Sequence, residues 1–300
     1  MGMSYEEFKA QVVDMIRKAE GQGTEVNIVS VTKNNGLVLD ALTILRAGKN
    51  ISPTIYLEKY YRFFCMKNVS LEEVVGDILR EHAAHDVAVP VNAEQLLDFA
   101  NVKNRIYPRL VNYARNRSLL DDIPHRRFLD LAVIYYFEVS EEPIGNATMI
   151  LRNRSLECWK VSEEELYNLA MENVRRDKPT EIIPMGNIME EIGGQPLPEE
   201  QETALSNWQM NIATNKERVF GSVCLLEPEV FQTIAERTGA NLFILPSSIH
   251  EVIVVANNGS CSKTDLERMV IDVNETQVLE QEVLSDHVYL YDKERKEVML

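Results

Sequence analysis

The side chains best suited to chemistry in this sequence cluster at Ser247, Ser248, His250 and Glu251, directly after Leu245-Pro246. Nucleophilic catalysis needs a hydroxyl within hydrogen-bond reach of an imidazole that an acid orients. If the segment is extended, Ser248 and His250 share one face and Glu251 takes the other. Same-face neighbours then stand roughly 6.6 Å apart and run parallel instead of converging, and no G-x-S-x-G elbow is present. The competing reading makes Pro246 and the serines a bulge or turn between two core strands. A second stretch, Asp272 to Tyr289, carries Asp286 and His287 among other oxygen-bearing side chains. It has too much Val and Leu, and no central Gly, for a calcium loop. Asn274 and Thr276 are expected to satisfy turn backbone groups there, with Ser285-Asp286 opening the last strand. Ser248, His250, Asp286 and His287 are therefore the catalytic candidates, without an assigned nucleophile and base.

His82, His85 and Asp86 fall at i, i+3 and i+4, so a helix would turn all three one way. Two imidazoles and a carboxylate suit zinc or iron, but such a site needs further support. The segment is not H-E-x-x-H, and histidines at a helix end also sit well against the dipole. They are metal candidates against an expectation of no metal. Arg105, Arg109, Arg115 and Arg117 lie in a run with Lys103, Arg126, Arg127, Tyr107 and Tyr113. Cations between aromatics can grip phosphates and stack bases, or the arginines can pair with acidic residues further along the chain. No P-loop, G-x-G-x-x-G or zinc ribbon occurs, and no cofactor is expected.

The rest of the chain limits what such a site can be. Hydrophobic residues make up 45% and charged residues 26% of the 300 positions, which excludes disorder as the main state. The net charge of −16 is uneven: after residue 179 there are 8 Lys/Arg against 21 Asp/Glu, leaving 23 and 26 before it. An acidic C-terminal part repels phosphate backbones and anionic lipid. No apolar run approaches a membrane helix, and the N-terminus has no signal-peptide pattern. Cys65, Cys158, Cys224 and Cys261 are scattered singly, which fits a reducing cytoplasm.

These residues must be carried by a mixture of helices and strands. Ser4 with Glu7, Ser70 with Glu73 and Ser162 with Glu165 have capping-box spacing and predict helices from residue 4 to 20, 71 to 85 and 162 to 174. Asn34-Asn35-Gly36 between two apolar runs predicts a hairpin, Val26–Thr32 with Leu37–Leu45. Pro53 is expected to open a helical segment. Arg105–Leu110 reads as an edge strand because Pro108 lies in it, and Phe128–Val139 as a buried strand with Ala147–Trp159 as its hairpin partner. Val219–Leu226 reads as a strand, Glu229–Thr238 as a helix stopped by Gly239, and Leu242–Leu245, Val252–Val255 and Val288–Tyr291 as strands. Lys263–Val270 is expected to be helical. The Pro- and Gly-rich stretch is the best linker. The expected fold is therefore α+β, with two mixed domains of largely antiparallel sheets and flanking helices. Residues 1–178 form the first, 179–215 the linker region, and 216–300 a smaller acidic domain.

Gly36-Leu37, Ser52-Pro53-Thr54-Ile55-Tyr56-Leu57 and Leu245-Pro246-Ser247-Ser248-Ile249-His250-Glu251-Val252-Ile253 resemble the bacterial domain-of-unknown-function family numbered 5688, as do Val273-Asn274-Glu275-Thr276 and Ser285-Asp286-His287-Val288-Tyr289. The resemblance covers nearly the whole chain. A second likeness, to the uncharacterised YtpQ-like family, lies in Arg105-Ile106-Tyr107-Pro108, Asp122-Ile123-Pro124, Ile134-Tyr135-Tyr136 and Glu163-Glu164-Glu165-Leu166. Neither implies a catalytic residue. What the first implies is a bacterial, cytosolic, accessory protein. The expectation is a non-catalytic protein that binds a protein partner. The alternatives are a hydrolase centred on His250 or His287, or a nucleic-acid-associated protein using the Arg105–Arg127 region.

Overall fold

The computed structural model describes residues 3–49, 52–67, 69–86, 98–139, 147–198 and 209–300. The chain divides into two compact units: Met1–Lys33, Leu37–Leu96 and Val139–Ala147 form one, and Asn34–Gly36, Leu97–Glu138 and Thr148–Leu300 the other. Helices and mostly antiparallel sheets alternate in both, an α+β architecture.

In the first unit, helix α1 (Tyr5–Glu20) starts at Ser4, whose hydroxyl and Glu7 close the expected capping box. Strands β1 (Glu25–Thr32) and β2 (Val38–Leu45) pair antiparallel from Glu25↔Leu45 to Thr32↔Val38. Asn35 and Gly36 turn the chain between them at φ 61° and 74°, the left-handed region that Asn and Gly enter at least cost. Pro53 leads first into strand β3 (Thr54–Tyr56) on β2. Helix α2 (Leu57–Lys67) begins only after it, later than the helical spacing suggests. Helix α3 (Leu71–His85) opens on the Ser70–Glu73 capping box. Phe8, Val12 and Ile16 of α1, Leu42, Ile44 and Ile55 of the sheet, and Val74 and Ile78 of α3 form the core. The one-stripe spacing of these helix residues is why each helix lies flat on the sheet.

The second unit holds two sheets. In the smaller, β4 (Ile106–Asn112) and β5 (His125–Phe128) flank β6 (Leu131–Val139), and β7 (Ala147–Ile150) also pairs β6. Strand β4 is at the edge, as Pro108 requires. Only Ala147–Ile150 is strand; helix α4 (Asn153–Trp159) replaces the rest of the expected hairpin partner. The Leu151 N–H still reaches the Tyr135 carbonyl at 2.9 Å, but the Asn153 N–H turns away to Asp122 O at 3.1 Å. Helix α5 (Glu163–Asp177), capped by Ser162 and Glu165, lays Met171 and Val174 against Tyr107 of β4 and Tyr136 of β6.

The larger sheet has the order β13-β12-β10-β11-β9-β8. Its strands are β8 (Thr180–Pro184), β9 (Asn211–Asn215), β10 (Leu242–Leu245), β11 (Val252–Ala256), β12 (Tyr289–Asp292) and β13 (Glu297–Met299). The 179–215 stretch therefore contributes β8, helix α6 (Met185–Gly193) and β9 to this unit. Its Pro184 and Gly194 punctuate the strand-to-helix and helix-to-loop steps; residues 199–208 of that stretch lie outside the described residues. Helix α7 (Pro228–Thr238) ends at Gly239, φ 70°, as expected. Helix α8 (Lys263–Thr276) runs six residues past Val270. Asn274 is thus helical instead of lying in a turn, and its Nδ2 donates to Ser285 O and Asp286 Oδ1 at 3.0 and 2.9 Å. Ser285 and Asp286 precede the strand, which starts at Tyr289. Asp130 joins the two sheets by accepting from Ser285 Oγ at 2.6 Å and from the Tyr289 hydroxyl at 2.8 Å.

Gly221–Leu226 is a 3₁₀ turn and not the expected strand. Arg218 and Phe220 take φ 53° and 55°, and a strand ladder cannot pass through two left-handed residues. Asn215 holds this conformation: its Nδ2 donates to Val219 O at 2.8 Å and its Oδ1 accepts the Val219 N–H at 3.2 Å.

Candidate functional site

The Asn215–Gly221 loop and the Pro246–Glu251 loop meet because β9 and β11 pair with Val252 opposite Ala213. Just beyond that pair, Thr214 Oγ1 donates to His250 O at 2.9 Å and Ser222 Oγ to Ile249 O at 2.8 Å. Gly221 lies where they cross. A Cβ there would strike Thr214 Oγ1 and stand 2.6 Å from His250 O and 2.8 Å from Asn215 N.

This packing fixes His250. Its Nδ1 accepts the Phe220 N–H at 3.3 Å, so the ring proton belongs on Nε2, which faces Glu282 Oε1 at 3.8 Å. The imidazole stacks on the Phe220 ring at 5.6 Å and 13°. Ser248 Oγ accepts the backbone N–H of His250 at 3.0 Å, so the hydroxyl serves the turn of its own loop. A Ser–His pair would need the imidazole's basic nitrogen aimed at the hydroxyl, and here that nitrogen is occupied by Phe220. Pro246–Ser248 lies in the connection between β10 and β11, outside both strands.

His287 is exposed, and its backbone N–H donates to Ser285 Oγ at 3.0 Å. Asp286 accepts from Arg115 at 2.7 Å and from Asn274, so these two candidates are held by different neighbours. His82, His85 and Asp86 diverge as well. His82 is fully buried, and because a carbonyl only accepts, its Nε2 donates to Ile44 O at 2.9 Å. Burial lowers its pKa below the ordinary histidine value. His85 donates from Nδ1 to Glu81 O at 2.9 Å, and Asp86 is bound by Arg46 and Lys49 at 2.8 and 2.6 Å. Among the described residues no three His, Cys, Asp or Glu side chains are grouped to hold a metal ion.

The arginines do not form one stripe. Arg105 reaches back to Asn101 O at 3.4 Å, Arg115 pairs with Asp286, and Arg117 lies over Tyr113 at 5.9 Å. Arg126 is tied to Glu163 at 2.9 Å. Arg109 differs from all of these. Its guanidinium lies over the Phe220 ring at 5.1 Å, its Nε is buried without an acceptor, and burial lowers its pKa to about 10.

Sequence reasoning missed the residues around this point. Lys178, at the end of α5, is buried between Glu138, at 2.8 Å, and Glu217 and lies over the Tyr107 ring at 5.0 Å. Burial acts to lower its pKa, but the hydrogen bonds that its ammonium donates to both carboxylates outweigh that and raise it. Tyr136 meets Phe220 edge-on at 5.1 Å. Cys224, just below, is buried, which pushes its thiol pKa up and leaves it no thiolate nucleophile. A void of about 10 Å³ remains among Tyr107, Tyr136, Lys178, Asn215 and Phe220, room for about one water. The only signal in the sequence was Asn215 and Gly221 bracketing a short polar run.

Residues 5–293 match the model of a family described as Family of unknown function (DUF5688). That match bears on the first resemblance and not on the YtpQ-like one. No curated protein and no solved structure matches the chain.

Proposed function

The chain belongs to this family of unknown function, and from that premise we propose that it works by binding a protein partner in the bacterial cytoplasm, with no chemistry of its own. One observation carries the reading: the basic nitrogen of His250 accepts the Phe220 N–H, and Ser248 Oγ accepts the His250 N–H. Ser248 and His250, two of the residues that suggested catalysis, serve the backbone of the two loops that hold them. The net charge of −16 disfavours nucleic acid and anionic membranes, which supports protein as the macromolecular partner. All four cysteines are free thiols and two are exposed, a state suited to a reducing compartment.

A hydrolase panel run on the wild type, S248A, H250Q and H287Q tests this, with folding followed by circular dichroism. No turnover that depends on any of these side chains is expected. Turnover that disappears in one folded variant would replace the binding reading with the hydrolase one. Native mass spectrometry of the protein purified from its own cells should show a stoichiometric protein complex. Co-purified nucleic acid in its place would overturn the choice of partner.

A further inference from the structure

A charged side chain in a folded protein normally has a partner, because removing a guanidinium from water without one costs several kcal/mol. Arg109 has none: among the described residues it makes no hydrogen bond and no ion pair, and its Nε is closed off from solvent unpaired. Several acids of the second unit are engaged with other cations. Glu138 and Glu217 are both held by Lys178, Glu163 by Arg126, and Asp286 by Arg115. Among the described residues, the phenol of Tyr136 is in electrostatic contact with Arg109.

The surroundings hold the fork in place. Phe220 lies under the guanidinium carbon, and Phe220 is in turn fixed by His250, which stacks on its ring and accepts its N–H. Tyr136 abuts the same ring. The left-handed backbone at Phe220 is a conformation that surrounding structure must impose. Here it positions a π face under a cation, a favourable arrangement once the cation is desolvated. Arg109 as a whole is only half-buried, so the remainder of its planar fork opens toward solvent.

We propose that Arg109, seated on Phe220, is a receptor for a small oxyanion, a carboxylate or phosphate group whose two oxygens match the guanidinium fork. Two parallel N–H···O bonds suit a planar guanidinium and an oxyanion. The site does not depend on the protein-partner reading: it takes a small ligand whatever the partner is. A chain with net charge −16 repels anions in general, so saturable uptake of one reports a local receptor.

The test is titration of the full chain with inorganic phosphate and, separately, acetate, against potassium chloride of equal ionic strength, read by isothermal calorimetry and melting temperature. At least one oxyanion should bind saturably and raise the melting temperature. R109Q should abolish that response, and R109K should weaken it about tenfold or more because it keeps charge without the fork. Preference for phosphate or for acetate identifies the group. The Arg109 Nε–H resonance, followed by nitrogen-15 NMR of the wild type, should shift with the same affinity, which keeps the test decisive if R109Q does not fold. No saturable response beyond chloride, or an equal response in folded R109Q, overturns the proposal.

Discussion

His250 and Phe220 are thirty positions apart, yet the imidazole Nδ1 accepts the Phe220 N–H at 3.3 Å while the two rings stack. The bond satisfies the backbone donor of a left-handed residue and, by the same contact, removes the basic nitrogen from any role toward Ser248. Structure and reactivity compete for one atom, and structure has it.

The crossing of the two loops leaves no room at Gly221. G221A should destabilise the second unit by about 1–3 kcal/mol or more, because the neighbours of the added methyl are backbone and a bonded hydroxyl that cannot simply move aside. Urea denaturation measures this. A loss under about 0.5 kcal/mol, the range of an ordinary surface substitution, would show that the loops part easily.

Lys178 separates two carboxylates. K178M should cost about 1–3 kcal/mol at neutral pH, less than a fully buried pair because Glu217 is 54% exposed and can turn to water. Adding E138Q should restore part of the loss. A double-mutant cycle with no coupling would place the effect in the packing of the lysine stem on Tyr107.

His82 gives the first unit a defined response to acid. Burial lowers its pKa from the ordinary 6.5, so below that value the unfolded chain takes up a proton that the folded chain refuses. Stability is full above about pH 6.5 and falls as pH drops toward the lowered folded value. Glu20 and Asp86, paired with Arg46, have pKa values below their ordinary 4.5 and 3.8, so their loss comes at more acid pH and survives in H82Q. Melting temperatures between pH 4.5 and 6.5 should therefore slope less in H82Q than in the wild type. Equal slopes would mean His82 takes up its proton in the folded state as readily as in the unfolded one.

At Ser70 the capping box is local and exposed. S70A should cost about 1 kcal/mol, with the N-terminal turn of α3 showing faster amide exchange. Unchanged exchange there would mean that the core contacts of Val74 and Ile78 alone hold the turn.

The contrast between Ser70 and Gly221 separates what was legible in the sequence from what was not. The caps at Ser4, Ser70 and Ser162, the Asn35-Gly36 turn and the stop at Gly239 involve partners within about four residues, so spacing alone revealed them, and with them the α+β class. The candidate site obeys no such spacing. Sheet order sets β9 beside β11, which brings Asn215 and Gly221 against His250 and converts an apolar run that reads as a strand into a 3₁₀ turn. The same packing buries Lys178 between acids 40 residues before it and 39 after it, and leaves Arg109, which resembles its neighbouring arginines in the sequence, with its Nε buried and unpaired. Local hydrogen-bonding and steric preferences determined the elements; desolvation and long-range pairing, which exist only once the sheets assemble, decided which charged groups found partners.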